Sequence, residues 1–307
     1  MQVHYSVDNL PSFTNSVITI GTFDGVHEGH KKIISALIKE AKKNKGESII
    51  ITFHPHPRKV VYPEEPLQLI NTLNEKIELL SKTGIDHVVI VPFTKKFAES
   101  TAEHYIREFL VNNFHPGSII IGFDHHFGKD RKGNYRLLEE YSDKCHFSLI
   151  EIPKHILDEI GVSSTKIRQA LLNSKIETAN KLLGYEFFFE GKVVLGDQIG
   201  RTLGYPTANL EYTDIDKIHL GHGVYAAYVQ LDNILKKGML SIGKRPTLPG
   251  MQDEKVEINI FDWEGSLYGE TIRVIVKKFL RQQEKYTSLE ELARQLAKDK
   301  QDSLTVL

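Results

Sequence analysis

Short apolar runs alternate with amphipathic stretches through the first half of the chain. β-Branched runs at Val17–Gly21, Ser48–Phe53, His87–Val91, Ser118–Gly122 and Phe147–Ile152 each predict a buried strand. Between them, Gly29–Lys43, Asn74–Lys82, Ala102–Asn113 and Tyr135–Ser142 carry apolar residues at helical spacing. In the first of these, Ile33, Ile34, Leu37 and Ile38 form one stripe with lysine and glutamate between them. Such alternation predicts an α/β domain, a Rossmann-like parallel sheet with helices on both faces. The proline-rich segment 54–66 breaks the pattern and predicts a loop. Directly after a strand, that loop is a candidate ligand wall.

The pattern changes beyond residue 160. Ser164–Lys175 and Ile176–Gly184 predict two short helices, with Gly184 as the C-terminal stop of the second. Strands without intervening helices follow at Phe187–Leu195, Tyr225–Leu231, Gly238–Ile242, Val256–Trp263 and Thr271–Phe279. Their spacing predicts a small antiparallel β-barrel. Ser288 opens a terminal helix, and Glu291 three residues later gives a capping-box pattern. The reading yields an N-terminal domain over 1–156, a helical linker over 157–183 and a C-terminal domain over 184–307.

Composition and charge narrow the function. The chain has 307 residues, 40% hydrophobic and 26% charged, ordinary for a globular chain of two domains. No apolar run approaches the roughly 18 residues of a membrane span. Met1–Leu10 lacks the basic stretch and apolar core of a secretory leader. The one cysteine, Cys145, excludes an intrachain disulfide and a multi-cysteine zinc site, so a cytoplasmic location is expected. Basic and acidic residues number 39 and 40, or 23 and 22 up to residue 183 and 16 and 18 beyond it. Neither half has the basic excess that nucleic acid or a membrane surface calls for. Small-molecule partners are expected, and a small anion needs only a few local donors.

The first such set lies after the first strand, in Gly21-Thr22-Phe23-Asp24-Gly25-Val26-His27-Glu28-Gly29-His30. A helix N-terminus presents free N–H groups and a partial positive charge. Gly21, Gly25 and Gly29 allow a tight turn and close approach to a ligand. Two imidazoles three residues apart can donate to phosphoryl oxygens from one side of the helix. Three plainer readings compete: solvated surface histidines, a metal site built from His27, His30, His54 and His56, and glycines that serve only the turn. Placement at the carboxyl end of a strand, where open α/β sheets bind ligands, favours the phosphate reading.

That stretch resembles the HxGH signature of the nucleotidyltransferase superfamily, in the longer form found in bacterial FAD synthetases. Thr52-Phe53-His54-Pro55-His56-Pro57 is similar to that family's TFxPHP loop, with His54 where an acidic residue is frequent. Gly161-Val162-Ser163-Ser164-Thr165-Lys166-Ile167-Arg168 resembles its second nucleotide motif, SSTxIR. Alone, this string is an ordinary helix cap followed by a surface arginine; beside the first motif it reads as a second anion clamp. Gly122-Phe123-Asp124-His125-His126-Phe127-Gly128-Lys129-Asp130-Arg131 resembles a third family loop and departs from it at His125. The resemblance implies adenylyl transfer from ATP to FMN, with His27, His30 and Arg168 as catalytic residues. It places Gly21, Phe23, Asp24, Gly25, Gly29, Ser163, Ser164 and Thr165 at the nucleotide, and His56, Asp124, Phe127 and Arg131 at the flavin.

The second set opens the C-terminal half. Gly191, Gly196, Gly200 and Gly204 with Arg201 suit a backbone wrapped around phosphates, or else a glycine-rich barrel corner. Thr207 and Asn209 are two apart, so in extended chain both hard oxygens face one way, as Mg²⁺ requires. The string ending in Pro206-Thr207-Ala208-Asn209 resembles the riboflavin kinase motif GxxxGRxLGxPTAN. Gly223-Val224-Tyr225 and Ser241-Ile242-Gly243 through Thr247 are similar to further segments of that family, with Ser241 in place of a frequent asparagine. In Val256–Phe261, alternation puts Val256, Ile258 and Ile260 on one face and Glu257 on the other, a pattern also met in exposed strand glutamates. The resemblance makes Glu257 the base for the ribityl 5′-hydroxyl. It also places Gly191, Gly196, Gly200 and Arg201 at the ATP phosphates, Thr207 and Asn209 at Mg²⁺, and Tyr225 and Arg281 at the flavin. Together the two halves resemble the bacterial bifunctional riboflavin kinase/FAD synthetase family, which turns riboflavin into FMN and FMN into FAD with ATP. Another nucleotidyltransferase leaves the barrel unexplained, and a flavin sensor has no need of both sets of polar residues.

Overall fold

The computed structural model describes residues 1–153, 161–196, 203–232, 234–244 and 254–307. The chain forms two compact units, Met1–Ser163 and Ser164–Leu307.

The first unit is an α/β sandwich. Its elements are β1 (Gln2–His4), β2 (Val17–Ile20), α1 (Glu28–Lys43), β3 (Ser48–His54), α2 (Pro57–Val61) and α3 (Leu73–Ser81). They are followed by β4 (His87–Pro92), α4 (Lys95–Ala98), α5 (Ala102–His104), α6 (Asn112–Phe114), β5 (Ser118–Gly122), α7 (Tyr135–Cys145) and β6 (Ser148–Ile152). The sheet order is β1-β4-β3-β2-β5-β6 with every neighbouring pair parallel. Alternate residues feed opposite cores, as period-2 strands must. Ile18, Ile20, Ile49 and Ile51 pack with Phe109, Phe114 and Leu138 on one face, while Val17, Ile50 and Val88 pack with Ile34 and Leu37 of α1 on the other. The chain leaves β2 toward β3 on one side and finds β5 on the other. That reversal opens a crevice at the carboxyl ends of β2 and β5, where such sheets hold ligands.

Three local features differ from the expectation. The proline-rich segment 54–66 is not all loop: Pro57 occupies the first turn of α2, where its missing N–H costs nothing. The helix expected over Ala102–Asn113 is wound as a π-helix over Tyr105–Val111. The short edge strand β1 lies outside the pattern, because three residues show no period.

The second unit contains α8 (Ser164–Leu172), α9 (Ile176–Leu183), β7 (Phe188–Val194), β8 (Ala208–Tyr212), β9 (Gly223–Leu231), β10 (Ile234–Lys244), β11 (Glu254–Ile260), β12 (Thr271–Arg281) and α10 (Leu289–Val306). The strands close into an antiparallel barrel in the order β10-β11-β8-β7-β12-β9. Gly184 ends α9 in the left-handed region at φ 71°. The carboxamide of Asn180 ties α9 to the barrel, donating to the Val276 carbonyl at 2.9 Å and accepting from the Phe187 N–H at 2.8 Å. Ser288 caps α10 through the Glu291 N–H at 3.2 Å. The return arm from Glu291 reaches Thr287 instead of Ser288, at 3.1 Å to its N–H.

Candidate active sites

In the first unit, the turn after β2 is held in a costly shape. Gly21 prolongs the strand by donating to the Ile51 carbonyl at 3.0 Å. The chain then enters the left-handed region at Phe23 (φ 49°), Gly25 (φ 91°) and Val26 (φ 37°). For a β-branched valine this costs on the order of 1–3 kcal/mol, and burial of both Phe23 and Val26 holds it in place. His27 emerges as the N-cap of α1, its Nδ1 accepting from the His30 N–H at 3.3 Å. An accepting Nδ1 leaves the proton of neutral His27 on Nε2. His30 stacks on His27 with centroids 3.6 Å apart and planes 14° from parallel, and Phe23 lies 5.0 Å away. Gly29 makes this stack possible, since a Cβ there would stand 3.0 Å from Val162 and 3.3 Å from the His27 ring.

Burial, then the charges of His27 and Lys76, hold the His30 imidazole well below its ordinary pKa. His30 is therefore neutral near pH 7, and its buried Nδ1 has no hydrogen-bond partner among the described residues. Asp24, expected at the nucleotide, is buried and accepts the N–H groups of Ile70 (3.0 Å) and Asn71 (3.3 Å). It shapes the wall of a small cleft lined by Asp24, Phe53, His54, His56, Asn71 and Lys76, among others. His56 caps α2, its Nδ1 accepting from Arg58 N–H at 3.2 Å.

In the loop after β5, Phe127, expected at the flavin, is buried, with its ring stacked on Tyr105 at 4.8 Å. Gly133 lies against that ring and exchanges both backbone hydrogen bonds with Phe127, at 3.1 and 2.9 Å. Asp124 and Arg131 are exposed. His125 is pushed down to about 4 by burial, and its Nε2 has no partner among the described residues. Ser163 ends the first unit, whereas Ser164, Thr165 and Arg168 lie on α8 in the second.

In the second unit, register assembles the other set. Glu257 of β11 stands opposite Asn209 of β8 and Ser241 of β10. Thr207, just before β8, donates its hydroxyl to Glu257 Oε1 at 3.2 Å. Lys255 Nζ lies 2.9 Å from the same oxygen. Asn259 donates to the Pro206 carbonyl at 2.6 Å and pins the segment that carries Thr207. Gly196 lies against Asn209, where a Cβ would fall 1.9 Å from Nδ2. Two neutral oxygens and a carboxylate thus share one face, a donor set that fits a hard cation.

Three expected ligand residues of the barrel have other partners. Gly191 sits inside β7 between two paired strands, with Leu210 Cβ 3.1 Å from where its Cβ would be, so its smallness serves strand packing. Tyr225 is fully buried, packs edge-on against Phe279 and donates its hydroxyl to the Gly221 carbonyl; burial pushes it up to about 12. Arg281 clamps Asp299 of α10 through Nε at 2.8 Å and Nη2 at 2.6 Å. Gly200, Arg201 and the 245–247 part of the kinase-like motif lie outside the described residues.

Comparison with known proteins matches these two constellations to two families. A model described as FAD synthetase matches residues 10–166, and one described as riboflavin kinase matches residues 183–307. The bifunctional riboflavin kinase/FMN adenylyltransferase of Escherichia coli strain K12 is 34% identical over 284 residues, 92% of this chain and 90% of that protein. Its counterpart in Buchnera aphidicola subsp. Schizaphis graminum is 36% identical over 305 residues, 97% and 96% of the two chains. The chain belongs to the bifunctional riboflavin kinase/FMN adenylyltransferase family. A crystal structure described as the macrolide-efflux protein of Streptococcus pneumoniae shares the fold, with TM-score 0.87 and 30% identity over 98% of both chains. Efflux is said of that protein; no described helix of this chain is long and apolar enough to cross a membrane.

Within this bifunctional riboflavin kinase/FMN adenylyltransferase chain, the parallel sheet lies in the FAD synthetase region and the barrel in the riboflavin kinase region. Two site-lining lysines escaped the sequence reading. Lys76 lies in an amphipathic helical stretch where lysine normally faces water, and Lys255 precedes an alternating strand. Only the tertiary fold brings them to Asp24 and Glu257.

Proposed function

We propose a division of labour in which the barrel phosphorylates riboflavin to FMN and the parallel-sheet unit adenylylates FMN to FAD. In the barrel, the ribityl 5′-hydroxyl attacks the γ-phosphorus of ATP, its proton passes to Glu257, and ADP leaves. The Thr207 hydroxyl and Lys255 ammonium, both on Oε1, orient that carboxylate. Thr207 and Asn209 hold Mg²⁺, which offsets triphosphate charge when bound. The geometry that carries this reading is the cross-strand pair of Glu257 and Asn209 with Thr207 alongside.

In the parallel-sheet unit, a phosphate oxygen of FMN attacks the α-phosphorus of ATP, and its bond to pyrophosphate breaks in line. No protein nucleophile is needed; positioning and charge stabilisation lower the barrier. His27 and neutral His30 at the start of α1 contact ATP phosphate oxygens, and the vacant hydrogen-bonding capacity of His30 Nδ1 supports this placement. Ser164, Thr165 and Arg168 are assigned to the departing pyrophosphate and Ser163 to the nucleotide, as their motif implies. His56 and Asp124 keep their assignment to the flavin.

The test is a product chromatogram after incubation with riboflavin, ATP and Mg²⁺. Wild type yields FMN and FAD. His30→Ala accumulates FMN and loses about 10²–10³-fold in FAD formation. Glu257→Ala makes no FMN from riboflavin at a comparable rate, losing about 10²–10⁴-fold, yet converts added FMN to FAD. Unchanged FAD formation in His30→Ala refutes the first assignment, and unchanged FMN formation in Glu257→Ala refutes the second.

A further inference from the structure

Lys76, on α3, is a lysine with an unusual position. It is 7% exposed, and its Nζ donates to the Thr22 carbonyl at 3.0 Å and to Thr52 Oγ1 at 3.4 Å. Thr22 immediately precedes the strained Phe23 turn, and Thr52 lies near the end of β3. Those two bonds leave one of three ammonium hydrogens without an acceptor. Among the described residues no carboxylate lies within ion-pair distance of Nζ. A buried cation without ion-pair contact is costly, and only the longer-range charge of Asp24 offsets this. Here it forms part of the cleft wall, beside Asp24, His54 and His56.

We propose that Lys76 binds the phosphate monoester of the adenylyl acceptor, FMN, donating its third hydrogen to a phosphate oxygen in this cleft. An in-line displacement needs the attacking and leaving phosphates on opposite sides of the α-phosphorus, and therefore two separate groups of donors. The α1 N-terminus with His27 and His30 supplies one. Lys76, which enters from α3, supplies the other, and its bond to the Thr22 carbonyl fixes its distance from the turn that carries them. The inference rests on the adenylyl-transfer reading of this unit.

Charge state gives the proposal a distinctive readout. Burial pulls Lys76 down to about 8, with Asp24 opposing the shift. The other titratable groups facing it are His30 from α1, His54 from the end of β3 and His56, the cap of α2. Below about pH 8 the free protein carries the ammonium and binds the phosphate; above it the ammonium is lost. The profile of kcat/KM against pH reports the free enzyme.

The experiment is steady-state FAD formation by the full chain, varying FMN and ATP separately, for wild type, Lys76→Met and Lys76→Arg. Lys76→Met is expected to raise KM for FMN at least tenfold and to leave KM for ATP within about threefold. Wild-type kcat/KM for FMN is expected to fall above about pH 8, and in Lys76→Arg, whose guanidinium stays charged, the plateau extends past pH 9. An unchanged KM for FMN in Lys76→Met overturns the proposal, as does an equal rise for both substrates. A wild-type profile flat from pH 7 to 10 overturns it as well, even where Lys76→Met does not fold. Absence of FAD formation in wild type defeats the activity reading itself, a result distinct from these.

Discussion

Gly196 and Asn209 are fitted so closely that one added methyl group is enough to displace the Asn209 carboxamide. In Gly196→Ala the new Cβ would fall on Asn209 Nδ2, so the carboxamide must move. FMN formation is expected to drop about 10²-fold, the scale of a 1 Å misplacement, while FAD formation from added FMN holds; separate assays of the two steps check this. Glu257, Thr207 and Asn209 were legible because extended chain fixes side-chain direction every second residue. The helix-start histidines stood out through their glycine-rich turn at the carboxyl end of a strand, but the role of His27 as the helix cap did not. Phe127, Tyr225 and Arg281, expected at the flavin, each have protein partners that the sequence did not announce. An aromatic ring or a guanidinium has the same letter whether it meets a ligand or a neighbouring element. Lys76 and Lys255 were missed for the converse reason, since their surroundings are a property of the fold.

At the level of elements, the pattern foresaw the strands that are buried on both faces and the helices with one long stripe. It missed what depends on partners: β1, which exists by pairing with β4, and β8, whose first two residues were read only as the end of a motif. The proline-rich stretch shows a further limit, because proline forbids a helix interior but suits its first turn. The junction of β12 with α10 has an energetic consequence. Asp299 is 1% exposed, accepts two bonds from Arg281 and a third from Gln295 at 2.8 Å. Asp299→Ala strands the Arg281 guanidinium and is expected to cost about 3–5 kcal/mol in the barrel unit. Denaturant unfolding followed through Trp263, in the second unit, measures the loss; a change below 1 kcal/mol contradicts the clamp.

For the whole molecule, two units with separate sheets carry consecutive steps on one metabolite. If FMN is released and rebound, Glu257→Ala and His30→Ala mixed in one tube complement each other. The mixture is expected to convert riboflavin to FAD at a rate that rises with the concentration of both proteins, although neither variant does so alone. A mixture that stays inactive argues that FMN does not travel through solution. The two-unit division followed from the switch between strand–helix alternation and bare strands. The residues that line each crevice followed only in part.

The two sheets also differ in whether they have ends. The barrel is closed, so all its strands find partners within the unit. The parallel sheet stops at β1 and β6, and each border strand keeps one row of amides and carbonyls outside the ladder. In crowded or overheated preparations, strand-to-strand sticking between molecules therefore begins in the adenylylating half. Glu151 on the border strand β6 acts there as a gatekeeper against stacking.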